Sequence, residues 1–280
     1  MRRTRPAVFK GRHFEAEIII LCVRWYLRFG LSFRNLEELM VERNLSVDHV
    51  TIWRWVQRYA PELYRRCRPE LRITNRSWRV DETYLRVAGK WTYLYRAVDS
   101  TGATIDFLLS PKRDTDAAKR FFQKALRSEN HPHPRVINVD GNPAYPSAIA
   151  ELKRTRELGQ RCRCRPIRYL NNVVEQDHRA IKRRVRAMQG FRSFHSAWRT
   201  IQGIETVNMI RKGQIRWLAK DDIAGQVAFT LRLFGLSLQP HRRQEPHHRA
   251  FNLIIATLPG HRPPYCDGHA SLHGARAKGT

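Results

Sequence analysis

Arg79–Val87, with the sequence RVDETYLRV, is the stretch that decides the fold of this chain. The short apolar run that precedes Asp81 predicts a buried strand, and Gly89-Lys90 turn the chain into a second strand, Trp91–Val98. Another turn at residues 100–102 leads to a third strand, Ala103–Leu109. Residues 79–109 therefore predict three antiparallel strands that are joined by two tight turns.

Helices and strands alternate after the third predicted strand. The predicted elements are, in order, a helix, a strand, a helix, a strand and a helix: Thr115–Leu126, Arg135–Val139, a short helix that ends near Arg156, Pro166–Leu170 and Glu175–Met188. This order matches the ribonuclease-H-like fold. We therefore expect an α/β chain (α+β mixed) whose core has a mixed five-stranded sheet.

Three carboxylates fall where that fold places acids around one metal site. Asp81 lies in strand one, Asp140 directly follows strand four, and Glu175 opens the last helix. Each acid has an ordinary explanation, as a turn former or as a helix-start carboxylate, but their joint placement favours catalysis. Hard oxygen ligands suit Mg²⁺, and two Mg²⁺ ions, with Mn²⁺ as a substitute, serve phosphodiester exchange. Glu82 is expected to point to the opposite strand face, and Asp99 to form a turn.

The helix that Glu175 opens is strongly basic. His178 lies one turn further on and is predicted to contact a phosphate or a carboxylate, with a plain surface residue as the alternative. Lys182 lies two turns after Glu175 on the same face and is predicted to reach DNA. The remaining basic residues predict a surface that follows a phosphate backbone, or else a solvated face: Arg179, Arg183, Arg184 and Arg186.

The composition points to a polyanionic partner. Of the 280 residues, 52 are Lys or Arg and 25 are Asp or Glu, so the formal net charge is +27. Such a charge favours nucleic acid, whereas a membrane or a small-molecule substrate is not expected. Ile18–Val23, the longest apolar run, is too short to span a membrane. Five cysteines without a secretory context favour the cytoplasm and nucleoid, and Cys162-Arg163-Cys164 has too short a spacing for a zinc site.

The N-terminal part predicts a basic arm at residues 1–12, followed by helices only at residues 13–65. Ser32 and Ser46 are expected to cap the second and third helices. Two short helices, a tight turn and an outward polar face predict a helix-turn-helix, with an ordinary three-helix bundle as the alternative. The third helix is expected to turn three side chains toward DNA: Arg54, Trp55 and Arg58.

Changes in composition suggest the domain boundaries. Pro61 and Pro69 bracket a predicted linker at residues 66–75, and the catalytic core is expected at residues 76–190. A helical extension is expected at residues 191–239. From residue 240 to residue 280 the chain is rich in His, Arg, Pro and Gly, which predicts a basic, loosely ordered tail.

Several longer motifs carry a resemblance to a known family. They are Val50–Val56, Trp78–Tyr84, Leu94–Asp99, Asn138–Tyr145, Tyr169–Arg179 and Phe191–Phe194. Over residues 10–215 the chain resembles the DDE insertion-sequence transposases, most closely the IS-six family of bacteria and archaea. Residues beyond about Leu238 match nothing in that family.

The resemblance implies a function and a set of site residues. Asp81, Asp140 and Glu175 would be the catalytic metal ligands, and Lys182 would contact DNA. Such enzymes cut at short terminal inverted repeats, and the freed 3′-hydroxyl attacks target DNA, usually by replicative transposition that gives cointegrates. Double-stranded DNA is thus the expected partner, and binding of both element ends implies at least a homodimer.

Two other functions are compatible with the sequence. The first is a DNA-binding regulator with an inactive core, against which the three intact acids argue. The second is a nuclease that only hydrolyses DNA, which the preceding helix-turn-helix disfavours.

Overall fold

The computed structural model describes residues 6–128, 131–167, 172–188 and 190–237. It contains one five-stranded mixed sheet with the order β3-β2-β1-β4-β5. The strands are β1 (Ser77–Val87), β2 (Lys90–Asp99), β3 (Thr104–Ser110), β4 (Val136–Val139) and β5 (Arg163–Pro166). The helices are α1 (Ala16–Arg28), α2 (Phe33–Val41), α3 (His49–Cys67), α4 (Thr115–Leu126), α5 (Ala144–Arg154), α6 (Asn172–Ala187), α7 (Phe194–Arg211) and α8 (Ile223–Arg232).

The hairpin between β1 and β2 depends on two residues in the left-handed region. Ala88 and Gly89 have φ angles of 50° and 76°, and Val87 pairs with Lys90 across the turn. Positive φ at both central residues is the geometry that matches the twist of a two-residue hairpin. The turn therefore lies one residue earlier than the predicted Gly89-Lys90.

The sheet has the mixed character that the element order predicts. β1 is antiparallel to β2, and β2 is antiparallel to β3. β4 returns parallel to β1, and β5 lies parallel to β4 at the edge of the sheet. One face of the sheet forms the main core with α4 and α5, in which Trp78, Phe121 and Tyr145 are almost fully buried. The predicted mixed five-stranded sheet is confirmed.

Some element boundaries differ from the prediction. The fifth strand is Arg163–Pro166 rather than Pro166–Leu170, of which residues 168–170 lie outside the described part of the chain. The third helix begins after Asp48, whose carboxylate accepts the amide hydrogens of Val50 and Thr51, and not after Ser46. Ser32 does cap α2, since its Oγ accepts the amide hydrogen of Asn35 at 3.0 Å. Residues 1–5 of the predicted arm and residues 238–280, which include the whole predicted tail, lie outside the described part of the chain.

The predicted linker at residues 66–75 is part of the packed structure. α3 continues through Pro61 to Cys67. Arg68 then donates to the carbonyl of Ile105 at 3.1 Å and to Ser128 Oγ at 2.8 Å. This segment therefore attaches α3 to the sheet.

α7 lies at the centre of the helical part and contacts α1 and α3. The close approach occurs at Gly203, where an added Cβ would lie 2.7 Å from both the Ala60 Cβ and the Leu27 Cδ1. Contacts this short force neighbouring atoms to move. Glycine at position 203 is therefore a requirement of the packing of three helices.

Replacement of Gly203 by valine is expected to lower the free energy of unfolding by about 1–3 kcal/mol, the range for overpacked cores. Gly159→Val is the control, because a Cβ at Gly159 meets nothing within 4 Å. Urea unfolding followed by circular dichroism measures both variants. Equal stability of the two variants would contradict the close approach of the three helices.

Candidate active site

The pairing register of β1 and β4 creates the centre of the candidate site. Val80 pairs with Val139 in parallel, so that the residues that follow, Asp81 and Asp140, come to lie side by side. After Val139 the chain leaves the sheet in a turn, in which Asp140 Oδ1 accepts the amide hydrogen of Asn142 at 3.1 Å. Two acids that are 59 positions apart in sequence are thereby neighbours in space.

Carboxylate oxygens of Asp81, Glu82 and Asp140 all lie within 4.8 Å of one another. The pKa of Asp81 is raised to about 7, first by burial and then by the charges of Asp140 and Glu82. A cluster that disfavours its own ionisation in this way suits a bound cation, which would compensate the repulsion. Hard carboxylate oxygens are also the donors that Mg²⁺ prefers, so the donor set fits a divalent metal ion.

Glu82 was expected to point away from Asp81, and its contacts are indeed on the side of α5. Its carboxylate accepts hydrogen bonds from the Tyr145 hydroxyl, the Asn142 amide and the Arg113 guanidinium. Its oxygens nevertheless reach the Asp81–Asp140 pair, because all three acids lie where β4 ends beside β1. Sequence reasoning therefore missed Glu82 as a member of the cluster. The nearby motif residues Asn142 and Tyr145 were the available signal.

Glu175 lies in the first turn of α6 and is exposed. It is outside the group of described carboxylates that approach one another within 4.8 Å. Its charge still contributes to the raised pKa of Asp81, after burial and the two nearer acids. The structure thus brings Asp81 and Asp140 together and leaves Glu175 at the margin of the site.

His178 is buried rather than available to a phosphate. It is 4% exposed, and its Nδ1 lies 3.8 Å from Asp81 Oδ2. Burial, followed by the charge of Arg96, lowers the pKa of His178 to about 3, so that its imidazole is neutral at physiological pH. The predicted phosphate contact is therefore wrong, and the neighbour of His178 is the carboxylate.

The basic face of α6 is smaller than predicted. Lys182, Arg179 and Arg183 are exposed, as a surface for DNA requires. Arg184 is 5% exposed and donates to the main-chain oxygens of Tyr26 at 2.6 Å and Leu31 at 3.2 Å. The inclusion of Arg184 among the phosphate-facing residues was therefore wrong. It attaches α6 to the end of α1 instead.

α6 is also attached to the sheet, through a buried ionic network. Asp177 receives hydrogen bonds from Arg96 on β2 and from Lys212, the latter at 3.0 Å. Arg96 also contacts Glu205 at 2.6 Å, and the side chains of both residues are fully buried. The two cations hold the pKa of Asp177 well below its usual range, against the effect of burial. This network therefore fixes the start of the helix that carries Glu175.

Asp99 forms a turn, as predicted. Its Oδ1 accepts the amide hydrogens of Thr101 at 2.9 Å and Ala103 at 3.0 Å, and its Oδ2 accepts that of Asn75. Its side chain is occupied by the connection between β2 and β3 and is not part of the acidic cluster.

The predicted DNA-facing residues of α3 divide into two groups. Arg54 and Arg58 are exposed. Trp55 is 3% exposed, and its ring packs edge-on against Phe14 at 5.2 Å between centroids, so the prediction that it faces DNA was wrong. Position 55 is three residues after Ile52 and four before Tyr59, which places it on their buried face.

Comparison with known proteins gives the family. Residues 75–214 match the family model described as a DDE domain. The transposase for insertion sequence-like element IS431mec of Staphylococcus aureus (strain N315) is 38% identical over 210 residues, which are 75% of this chain and 91% of that relative. The chain belongs to the IS-six family of DDE insertion-sequence transposases. As an IS-six transposase it is a polynucleotidyl transferase.

Other similarities accompany this match. The transposase for insertion sequence element IS257 in transposon Tn4003 of Staphylococcus aureus is also 38% identical over 210 residues. The match covers 75% of this chain and 91% of that relative. Among solved structures, the HTLV-2 integrase catalytic core domain in complex with magnesium gives a TM-score of 0.39 at 19% identity, covering 52% of this transposase and 95% of that chain. A chain of the simian T-cell lymphotropic virus intasome gives a TM-score of 0.37 at 14% identity. The match covers 62% of this transposase and 59% of the intasome chain.

Within the described residues, no helix of this IS-six transposase combines the length and the apolar character that a membrane span requires.

Proposed function

We propose that this transposase cuts DNA at the terminal inverted repeats of its own element and joins the freed 3′-hydroxyl to target DNA. The observation that carries the proposal is the parallel β1–β4 register, which sets Asp81 beside Asp140. The proposed cofactor is Mg²⁺, as two ions per site, with Mn²⁺ as a substitute. Asp81, Asp140 and Glu175 would hold these ions. When bound, they would stabilise the attacking and leaving oxygens of phosphodiester exchange.

The protein's own residues have the following roles in this proposal. Asp81 and Asp140 form the fixed part of the site, since Asp81 lies within β1 and Asp140 directly follows β4, its parallel neighbour. Glu175 completes the set from α6 and orients the attacking oxygen. Neutral His178 packs beside Asp81 and restricts the orientation of its carboxylate. The route is replicative, with a cointegrate as its product.

Positive charge on two helices would bind the DNA. Lys182, Arg179 and Arg183 lie exposed on α6, after Glu175, and would contact phosphates near the reacting strand. Arg54 and Arg58 lie exposed on α3 and would contact the inverted repeat. Because both ends of the element must be held together, the active form would be a homodimer or a higher oligomer.

A joining assay tests the proposal. Purified protein is incubated with Mg²⁺, a labelled duplex that carries the element's terminal repeat, and supercoiled plasmid. Labelled plasmid is the expected product for the wild type, and Glu175→Gln is expected to give none. Glu151→Gln is the matched control, because Glu151 lies on α5 and pairs with Lys119 outside the acidic cluster. Binding of the repeat without cleavage in any variant would instead favour a regulator.

A further inference from the structure

The β1–β2 hairpin has an exposed face of unusual chemistry. Tyr84 pairs with Tyr93, and Arg86 pairs with Trp91, so that these four side chains lie on one face of the hairpin. Tyr84 is 45% exposed and Trp91 is 56% exposed, and Arg86 is exposed beside them. We refer to these four residues as the aromatic–arginine face.

The opposite face of the same hairpin is packed. Leu85, Val87, Thr92 and Leu94 are each at most 5% exposed. A two-sided strand pair of this kind is expected to carry polar residues on its solvent side. Three aromatic rings there are an exception, and contiguous exposed apolar surface is typical of an interaction site.

The aromatic rings of this face contact one another, and the Arg86 guanidinium lies over one of them. The Tyr84 ring centroid lies 5.4 Å from that of Tyr93 and 6.3 Å from that of Trp91, both nearly edge-on. The Arg86 guanidinium carbon lies 4.7 Å from the centroid of the Trp91 ring. Such a combination of ring faces with positive charge fits a nucleobase together with its phosphate.

This face adjoins the acidic cluster on the side of Glu82. Tyr84 follows Glu82 by two residues on β1, so that the two side chains share one face of the strand, about 7 Å apart along it. Arg113 connects the two regions, because it binds the Glu82 carboxylate and its guanidinium carbon lies 5.8 Å from the Tyr84 ring centroid. A DNA strand that leaves the carboxylates on the side of Glu82 would therefore pass over the aromatic–arginine face.

We propose that the aromatic–arginine face stacks unpaired bases of the DNA strand end next to the position of cleavage. The inference rests on the proposed function, since that function brings a DNA end to Asp81 and Asp140. The partner is nucleic acid rather than protein because arginines flank the rings and the chain carries a net charge of +27. The bases are unpaired because a duplex hides base faces from side chains.

Fluorescence anisotropy without metal ions tests this proposal. The probes are an oligothymidine strand of about twenty nucleotides and a fully paired duplex of the same length. Trp91→Leu is expected to weaken binding of the single strand by about tenfold, the loss of one stacked base, and to leave duplex binding nearly unchanged. Trp91→Phe keeps an aromatic ring and is expected to retain most of the affinity.

Trp217→Leu is the matched control. Trp217 is 59% exposed, and the Arg232 guanidinium carbon lies 5.9 Å from its ring centroid, so its chemistry resembles that of Trp91 away from the acidic cluster. We expect this variant to bind both probes like the wild type. Equal single-strand affinity for Trp91→Leu, Trp91→Phe and the wild type would overturn the proposal.

Two further outcomes are decisive. A change in self-association of Trp91→Leu, seen in sedimentation without DNA, together with unchanged strand binding would assign this face to a protein contact and overturn the proposal. Binding is measured without metal and is therefore independent of the joining reaction. If the wild type fails to join DNA but Trp91→Leu still binds the single strand more weakly than the wild type, the joining reaction is refuted and the stacking face is supported.

Discussion

Asp81→Asn is expected to abolish joining and, without metal, to make the protein more stable. Activity should fall by about a thousandfold or more, because the site loses a charged ligand. Stability should rise because burial and the charge of Asp140 raise the pKa of Asp81 to about 7. That shift in pKa sets an upper bound of about 4 kcal/mol on the gain in the free energy of unfolding. We expect a gain of about 1–3 kcal/mol, since Asp81 is only partly buried.

The pH dependence follows from the sign of this shift. The pKa of Asp81 is 3.8 in a model peptide and about 7 in the folded chain, so the folded state binds this proton more tightly. The stabilising effect of protonation is complete below pH 3.8 and is lost as the pH rises through 7. The advantage of Asp81→Asn should therefore be larger at pH 8 than at pH 5.

Urea unfolding at these two pH values measures the effect, and Mg²⁺ should stabilise the wild type more than the variant. Asp116→Asn is the control, because Asp116 is exposed in the first turn of α4, away from the acidic cluster. It should leave joining intact and gain no stability. A less stable Asp81→Asn at pH 8 would show that Asp81 does not lie among like charges.

Arg96→Met is expected to destabilise the protein by about 3–5 kcal/mol. The side chain of Arg96 is fully buried and contacts both Glu205 and Asp177. Its removal leaves Glu205 as a buried carboxylate without its nearest cation, and an uncompensated buried charge has a cost of this size. Asp177 keeps its contact with Lys212 at 3.0 Å, so the loss should be concentrated at Glu205.

The double variant Arg96→Met with Glu205→Met separates charge from packing. It should recover a large part of the lost stability, because both buried charges are then absent. Arg65→Met serves as the surface control, since Arg65 is paired with Glu62 but its side chain is 70% exposed. Chemical unfolding of all three proteins gives the comparison. No recovery in the double variant would mean that shape, rather than charge, makes Arg96 necessary.

Much of the fold could be predicted because the strands near the site have clear sequence signals. The apolar runs before Asp81 and Asp140 mark two strands, and the order of elements then implies that they pair. The fifth strand was misplaced because Arg163–Pro166 lies at the sheet edge, where polar residues are tolerated and no apolar run appears. Pro61 suggested a break, yet α3 continues through it.

The details of the site were harder to predict, because they depend on tertiary neighbours. Trp55 and Arg184 look like members of polar faces, but Phe14 and the end of α1 cover them. The sequence allowed His178 a phosphate contact, a carboxylate contact or a surface position, and only the packing of α6 on the sheet decides among them. For Glu82, strand alternation gave the correct side, whereas the reach of its carboxylate past the end of β4 could not be deduced from periodicity.

α6 is held at two points by charged groups. Asp177 joins it to the sheet, and Arg184 joins it to the carbonyls of Tyr26 and Leu31. The two residues are seven positions apart, about 10 Å along the helix axis. Directional bonds resist sliding and rotation far more than apolar contacts do. Any displacement of the N-terminal helices would either break the hydrogen bonds of Arg184 or move α6 with them. The position of α6 relative to the sheet is therefore coupled to the position of the N-terminal helices.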